Sequence, residues 1–188
     1  MPYVLGDPLI PAYVASPLGF TEPTRKNYQE AIIPSLEKIG LEIICPWRMT
    51  SPNEVQAVLA PDSLKEQVRR YGEFELTVGK RNEEGIRKAR IVIANLDGTD
   101  VDAGTAAEIG FAYAIGRTCY GWRSDWRRSG ELCGGLALQV SYFIRRSGGL
   151  IAYGELELFI RQLDMVLDPL RTDLRQPECV RVSIFNGD

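Results

Sequence analysis

Short runs of branched apolar residues alternate along this sequence with longer stretches whose apolar residues recur at helical spacing. "AYVAS" (Ala12 to Ser16), "LEIICPW" from Leu41, "RIVIANLDG" from Arg90, "TCYGW" from Thr118 and "LIAY" from Leu150 read as strands. The third is the clearest, because four apolar residues in five places run into an Asp-Gly turn. Between the first two, "TEPTRKNYQEAIIPSLEKIG" sets Tyr28, Ile32, Leu36 and Ile39 on one helical face. Thr21 or Thr24 starts it, Gly40 stops it and Pro34 kinks or breaks it. Residues 61–89 predict one or two helices through Leu64, Val68, Tyr71, Leu76 and Ile86, with ends blurred by Gly72, Gly79 and Gly85. "TAAEIGFAYAIG" predicts a helix closed by Gly116, "LALQVSYFI" is strand or helix, and "GELELFIRQLDMVLDPL" is an amphipathic helix.

Strands alternating with helices imply an α/β fold, a doubly wound parallel sheet of about five strands in the flavodoxin-like or Rossmann-like manner. A length of 188 residues suits one domain, with an irregular arm over residues 1–11 and a polar tail over 168–188. In such sheets ligands bind outside the carboxyl ends of the strands. That edge is where "DVDAGTAAEIGFAYAIG", which follows "RIVIANLDGT" directly, falls.

The chain has no histidine. Ser–His and Cys–His nucleophiles, His-based zinc sites and imidazole acid–base chemistry are excluded together, so any acid–base work falls to carboxylates, Tyr, Lys or bound water. The four cysteines form no Cys-x-x-Cys pair and follow no secretory segment, which predicts a reduced, cytoplasmic protein. No apolar run approaches the roughly 18 residues of a membrane span. With a net charge of −3 and scattered basic residues, a small ligand fits better than a nucleic-acid polymer.

Two acids flank the run of Ala, Gly and Thr in "DVDAGTAAE": Asp102 and Glu108. Thr105 and Glu108 match a Thr-x-x-Glu capping box, in which the Glu only satisfies a backbone N–H. Asp102, beside Gly104, equally matches a turn residue, as do Asp97 and Asp100. The chemical reading is different. A carboxylate in the first helical turn is held ionised and suits a nucleophile, while a second carboxyl in a drier setting keeps a proton to donate. Such a pair cleaves glycosidic bonds, and in retaining enzymes the two carboxyls stand roughly 5–5.5 Å apart.

In ordered blocks, most of the chain resembles the nucleoside 2-deoxyribosyltransferases. The blocks are "YVASPLGF", "RKNYQEAIIPSLEKIGLEIICPW", "GKRNEEGIRKARIVIANLDGTDVDAGTAAEIGFAYAIG" and "YGWRSDWRRSGE" with "LQVSYFI". The specific element is the Asp-x-Gly-x-x-x-Glu-x-Gly core from Asp102 to Gly110. The resemblance implies Glu108 as the nucleophile that forms a covalent deoxyribosyl ester, Asp102 as the acid at the base, and Tyr13 as the residue that orients the nucleophile. Asn82 falls where members carry Asp or Asn near base and sugar, and Gly104 lies in the small stretch that leaves room for a nucleoside. Phe20 and Trp47 are pocket-lining aromatics or core packing.

The sequence departs from the family at Ala137-Leu138, where many members place an Asn-Leu pair that a neighbouring subunit lends to the sugar's 5′-hydroxyl. The resemblance implies base exchange between 2′-deoxynucleosides and free nucleobases by a ping-pong route, in a homo-oligomer, with no metal or organic cofactor. Two other readings share the sheet. One is a nucleoside or nucleotide N-glycosidase, since Gly-Thr-x-x-Glu also resembles the cytokinin-activating phosphoribohydrolases, whose Pro-Gly-Gly lead-in is absent here. The other is a non-catalytic nucleotide-sensing module.

Overall fold

A computed structural model describes residues 3–60, 63–127 and 136–175. Five strands form the sheet: β1 (Ile10–Ala15), β2 (Leu41–Ile44), β3 (Ile91–Asn95), β4 (Thr118–Arg123) and β5 (Ile151–Tyr153). Their order is β2-β1-β3-β4-β5 and all four pairings are parallel, the doubly wound arrangement of flavodoxin-like folds. β1 begins two residues before the predicted "AYVAS", so the arm ends at Leu9 rather than Pro11.

Side chains alternate along each strand and build two cores. Val14, Ile91, Ile93 and Trp122 pack on one face against Tyr28, Ile33, Leu36 and Phe159. Tyr13, Val92, Ala94 and Cys119 pack on the other against Ile86, Ile109, Val140 and Ile144. The first face is covered by α1 (Glu22–Asn27), a π turn (Tyr28–Ile32) and α2 (Ile33–Glu37). The π turn explains how Pro34 is accommodated. Proline has no N–H to donate, and the Ile33 N–H reaches back five residues to the Tyr28 carbonyl. The wider turn also rotates the apolar face, so Ile33 joins Tyr28, Ile32 and Leu36 in the core.

After β2 come α3 (Pro46–Met49), α4 (Pro52–Leu59) and α5 (Leu64–Lys88). α5 is a single helix of 25 residues that runs through all three glycines. Gly85 is needed there: a Cβ would stand 3.1 Å from both Ile44 Cγ2 and the Tyr13 ring, so its absence lets α5 lie close on β1 and β2.

α6 (Ala103–Ala114) connects β3 to β4 on the second face, and α7 (Leu138–Arg146) resolves the ambiguous "LALQVSYFI" as a helix. α8 (Leu156–Val166) and α9 (Asp168–Arg175) follow β5. α9 replaces the first part of the predicted polar tail. Its Arg171 is almost fully buried and donates to the Ile39 carbonyl at 2.7 Å and to the Asp164 carboxylate at 2.6 Å. Among the described residues no helix is long and apolar enough to cross a membrane.

Because β1 and β3 are neighbours whose connections leave on opposite faces, their carboxyl ends frame the crevice where such sheets bind ligands. Ser16 and Asn95 stand at those ends, and the loop from Leu96 to Asp102 rises beside them.

Candidate active site

Alternation along β1 turns Tyr13 toward the face covered by α5 and α6, where it is completely buried. Its hydroxyl donates to Glu108 Oε1 on α6 at 2.6 Å. From α5, Asn82 Nδ2 reaches the same oxygen at 3.4 Å, while Asn82 Oδ1 lies buried with no partner. Three residues far apart in the sequence thus meet at one carboxylate.

The electrostatics of that carboxylate follow from its place. Burial pushes the Glu108 pKa up from an ordinary 4.5 to about 7, the Tyr13 hydrogen bond opposes the rise, and the charge of Asp102 adds to it. Burial and the adjacent Glu108 also raise the Tyr13 phenol, which therefore remains a neutral donor. The first-turn argument of the sequence is reversed in one respect: Glu108 lies in the second turn of α6 and is itself the carboxyl in the drier setting.

The predicted capping box does not form. Asp102, not Thr105, is the N-cap of α6: its Oδ2 accepts from the Thr105 N–H at 2.9 Å and from the Thr105 hydroxyl at 3.2 Å. Glu108 is released from capping and bonded to Tyr13 instead. A genuine capping box occurs elsewhere, between Ser51 and Glu54 at the start of α4. Ala103 and Gly104 are exposed at the cap, and a Cβ on Gly104 would come within 3.1 Å of Asp102 Oδ2.

Phe20 and Trp47 pair with each other, edge to face, with ring centroids 4.6 Å apart. Trp47 Nε1 donates to the Ser16 carbonyl at 3.0 Å, and its ring presses so closely on Gly19 that a Cβ there would fall within about 2 Å of it. Trp47 also packs against the core of the α1/α2 face, whereas Phe20 is 66% exposed above the loop that follows β1. Packing accounts for Trp47; Phe20 is free to meet a ligand at the sheet's carboxyl edge.

Asp97, a turn residue by its sequence, also ties two loops: its carboxylate accepts from Asn95 Nδ2, the Ser124 N–H and hydroxyl, and the Asp125 N–H at 2.6–3.0 Å. Arg123, unremarked in the sequence, is buried at the end of β4 among the same loops. A cleft of about 600 Å³ between β2, α3 and α5 is lined by Arg48, Arg81 and Lys88 and not by Tyr13 or Glu108. Hydrogen-bond geometry, rather than cavity size, therefore marks the site. Among the described residues no three His, Cys, Asp or Glu side chains gather closely enough to hold a metal ion.

Known proteins resemble this fold. In fold, the chain is similar to a conserved protein of Enterococcus faecalis V583, at 21% identity and TM-score 0.59 over 82% of this chain and 99% of that one. It is similar to the CMP N-glycosidase of Clostridium botulinum at 18% identity and TM-score 0.51, over 83% and 98%. A 2-deoxyribosyltransferase of Bacillus psychrosaccharolyticus matches at 23% identity and TM-score 0.46, over 77% and 85%. No curated protein gives a significant sequence match. The family model described as nucleoside 2-deoxyribosyltransferase matches residues 12–156, which include Tyr13, Asn82, Asp102 and Glu108. The chain belongs to the nucleoside 2-deoxyribosyltransferase family.

Proposed function

We propose that this protein exchanges the purine or pyrimidine base of 2′-deoxynucleosides through a covalent ester on Glu108. The observation that carries this reading is the partly buried Glu108 carboxylate held at 2.6 Å by the Tyr13 hydroxyl, at the carboxyl edge of the sheet. Both hydrogen bonds to this carboxylate fall on Oε1, so Oε2 is the attacking atom.

Oε2 attacks the anomeric carbon from the face opposite the base. The C–N glycosidic bond breaks through an oxocarbenium-like transition state, and the base leaves with the bonding pair, assisted by Asp102. A nitrogen of the incoming base then attacks the same carbon, its proton passing to Asp102 in place of the one Asp102 gave the leaving base; the ester C–O bond breaks, and Glu108 is released as a carboxylate. Two inversions retain the anomeric configuration. Phe20 and Gly104 border the base, and Asn82 Oδ1, buried and unpartnered, is available to a donor on the substrate.

The chain assembles as a homo-oligomer with its sites near subunit interfaces. Ala137 and Leu138 open α7, and Leu138 is 73% exposed. The α5 face that carries Asn82 and Ile86 also continues outward as exposed Val68, Tyr71 and Leu64, an apolar stripe suited to contact between subunits.

The test is to incubate the protein with 2′-deoxyinosine and adenine, and separately with thymidine as donor. The expected product is 2′-deoxyadenosine. Free base without a new nucleoside would instead assign the N-glycosidase reading, and tight nucleotide binding without turnover would assign the sensing module.

A further inference from the structure

Arg123 ends β4 with 2% of its surface exposed, and among the described residues its guanidinium hydrogen-bonds no carboxylate. Its guanidinium instead grips backbone carbonyls. Nη1 donates to Leu96, while Nη2 donates to Gly98 at 2.8 Å and to Arg127 at 2.7 Å. A guanidinium is always charged and presents its donors in a rigid planar fork. Burying it is costly unless its partners are well placed.

Those carbonyls belong to two loops. Leu96 and Gly98 lie in the turn between β3 and α6, and Arg127 lies in the segment after β4. The same two loops are tied by further bonds. Asp97 accepts from the Ser124 and Asp125 N–H groups, and Asp125 in turn accepts from the Gly98 N–H at 3.2 Å. Gly98 has a φ of +121°, which side-chain-bearing residues rarely adopt, and a Cβ there would meet the Asp100 carbonyl oxygen at 2.7 Å. The turn is thus specified from several directions at once. It leads within four residues to Asp102, whose carboxylate caps α6 and stands close enough to act on the charge of Glu108.

We propose that Arg123 is a positioning residue for base departure: its grip on the Leu96 and Gly98 carbonyls fixes the turn that delivers Asp102 to the cap of α6. This rests on the reading of Asp102 as the acid at the base. Arg123 touches no substrate and acts only through the turn. A purely structural arginine would lower stability without selecting the step that Asp102 serves.

The test is a double-mutant cycle on the full chain with R123M and D102N. R123M is expected to lower kcat for nucleoside cleavage about 10- to 100-fold with KM little changed, as for a misplaced catalytic group. In the D102N background the same substitution should cost less than about twofold more. Losses that multiply would overturn the proposal. R123K is the second variant, because it keeps the cation but not the fork and should show a smaller loss with the same non-additivity.

Amide hydrogen exchange supplies a readout independent of turnover. In either variant the Gly98 and Thr105 amides should lose protection while Ile93 keeps it. Unchanged protection at Thr105 would overturn the positioning role. Absence of both base transfer and base release in the parent protein would defeat the functional reading instead, leaving the exchange result to judge Arg123.

Discussion

The Tyr13 hydroxyl donates to Glu108 Oε1 at 2.6 Å, joining the middle of the first strand to the second turn of a helix 95 residues later. This bond favours the ionised form of a carboxylate that burial otherwise drives toward neutrality. The two effects together set the pH at which Glu108 ionises.

Tyr13→Phe keeps the ring that packs against Gly85 and removes only the donor. Without it the Glu108 pKa rises further, so the acid limb of the kcat/KM profile should move to higher pH. At pH 6 the loss should be about 10-fold or more, the worth of one charge-assisted hydrogen bond. A pH–rate series on the variant and its parent checks this, and an unshifted limb would separate Tyr13 from the ionisation of Glu108.

Glu108 also links stability to pH. Its pKa in the folded protein, about 7, lies above the ordinary 4.5 of the unfolded chain. Its contribution to stability is therefore fully present below pH 4.5 and is lost as pH rises through 7. Glu108→Gln removes the buried charge and should stabilise the protein at pH 8 by about 2–3 kcal/mol, with the gain shrinking toward zero at pH 4. Urea unfolding at the two pH values measures the difference, and an equal effect at both would contradict the burial argument.

Gly19 permits the contact that seats Trp47 beneath Phe20. Gly19→Ala sets a methyl group against the indole, and the ring must move or the loop must shift. The expected cost is about 1–3 kcal/mol of stability, with a change in tryptophan fluorescence as the bond from Trp47 to the Ser16 carbonyl is disturbed. KM for the donor should rise, because Phe20 loses its support.

The parallel sheet was legible because its inner strands, β1 and β3 above all, are buried on both faces and read as apolar runs. The helix over residues 22–37 was legible as a pattern but not in its turn at Pro34, since a π turn leaves no local composition signal. α5 is the one-helix alternative of its reading: at Gly85 the missing side chain lets β1 and β2 pack close, whereas Gly72 and Gly79 face open space and are carried by the length of the helix.

In the site, the spacing from Asp102 to Glu108 fitted a capping box as well as it fitted chemistry. What separates the two readings is a hydrogen bond from β1, which no local pattern encodes. Asp97 and Arg123 were missed for a related reason: several of Asp97's partners, and two of the three backbone carbonyls that Arg123 grips, lie 25 or more residues away in sequence, and backbone groups carry no residue identity. Tyr13 and Asn82 enter as candidates through the family resemblance alone, since periodicity does not single them out.

The most direct test of Glu108 as nucleophile is to quench the protein with a 2′-deoxynucleoside donor and no acceptor, then measure peptide masses. A deoxyribosyl adduct confined to the peptide that contains Glu108, and absent from Glu108→Ala, is the expected result. Base release without any adduct, or an adduct that persists in Glu108→Ala, would contradict the covalent mechanism.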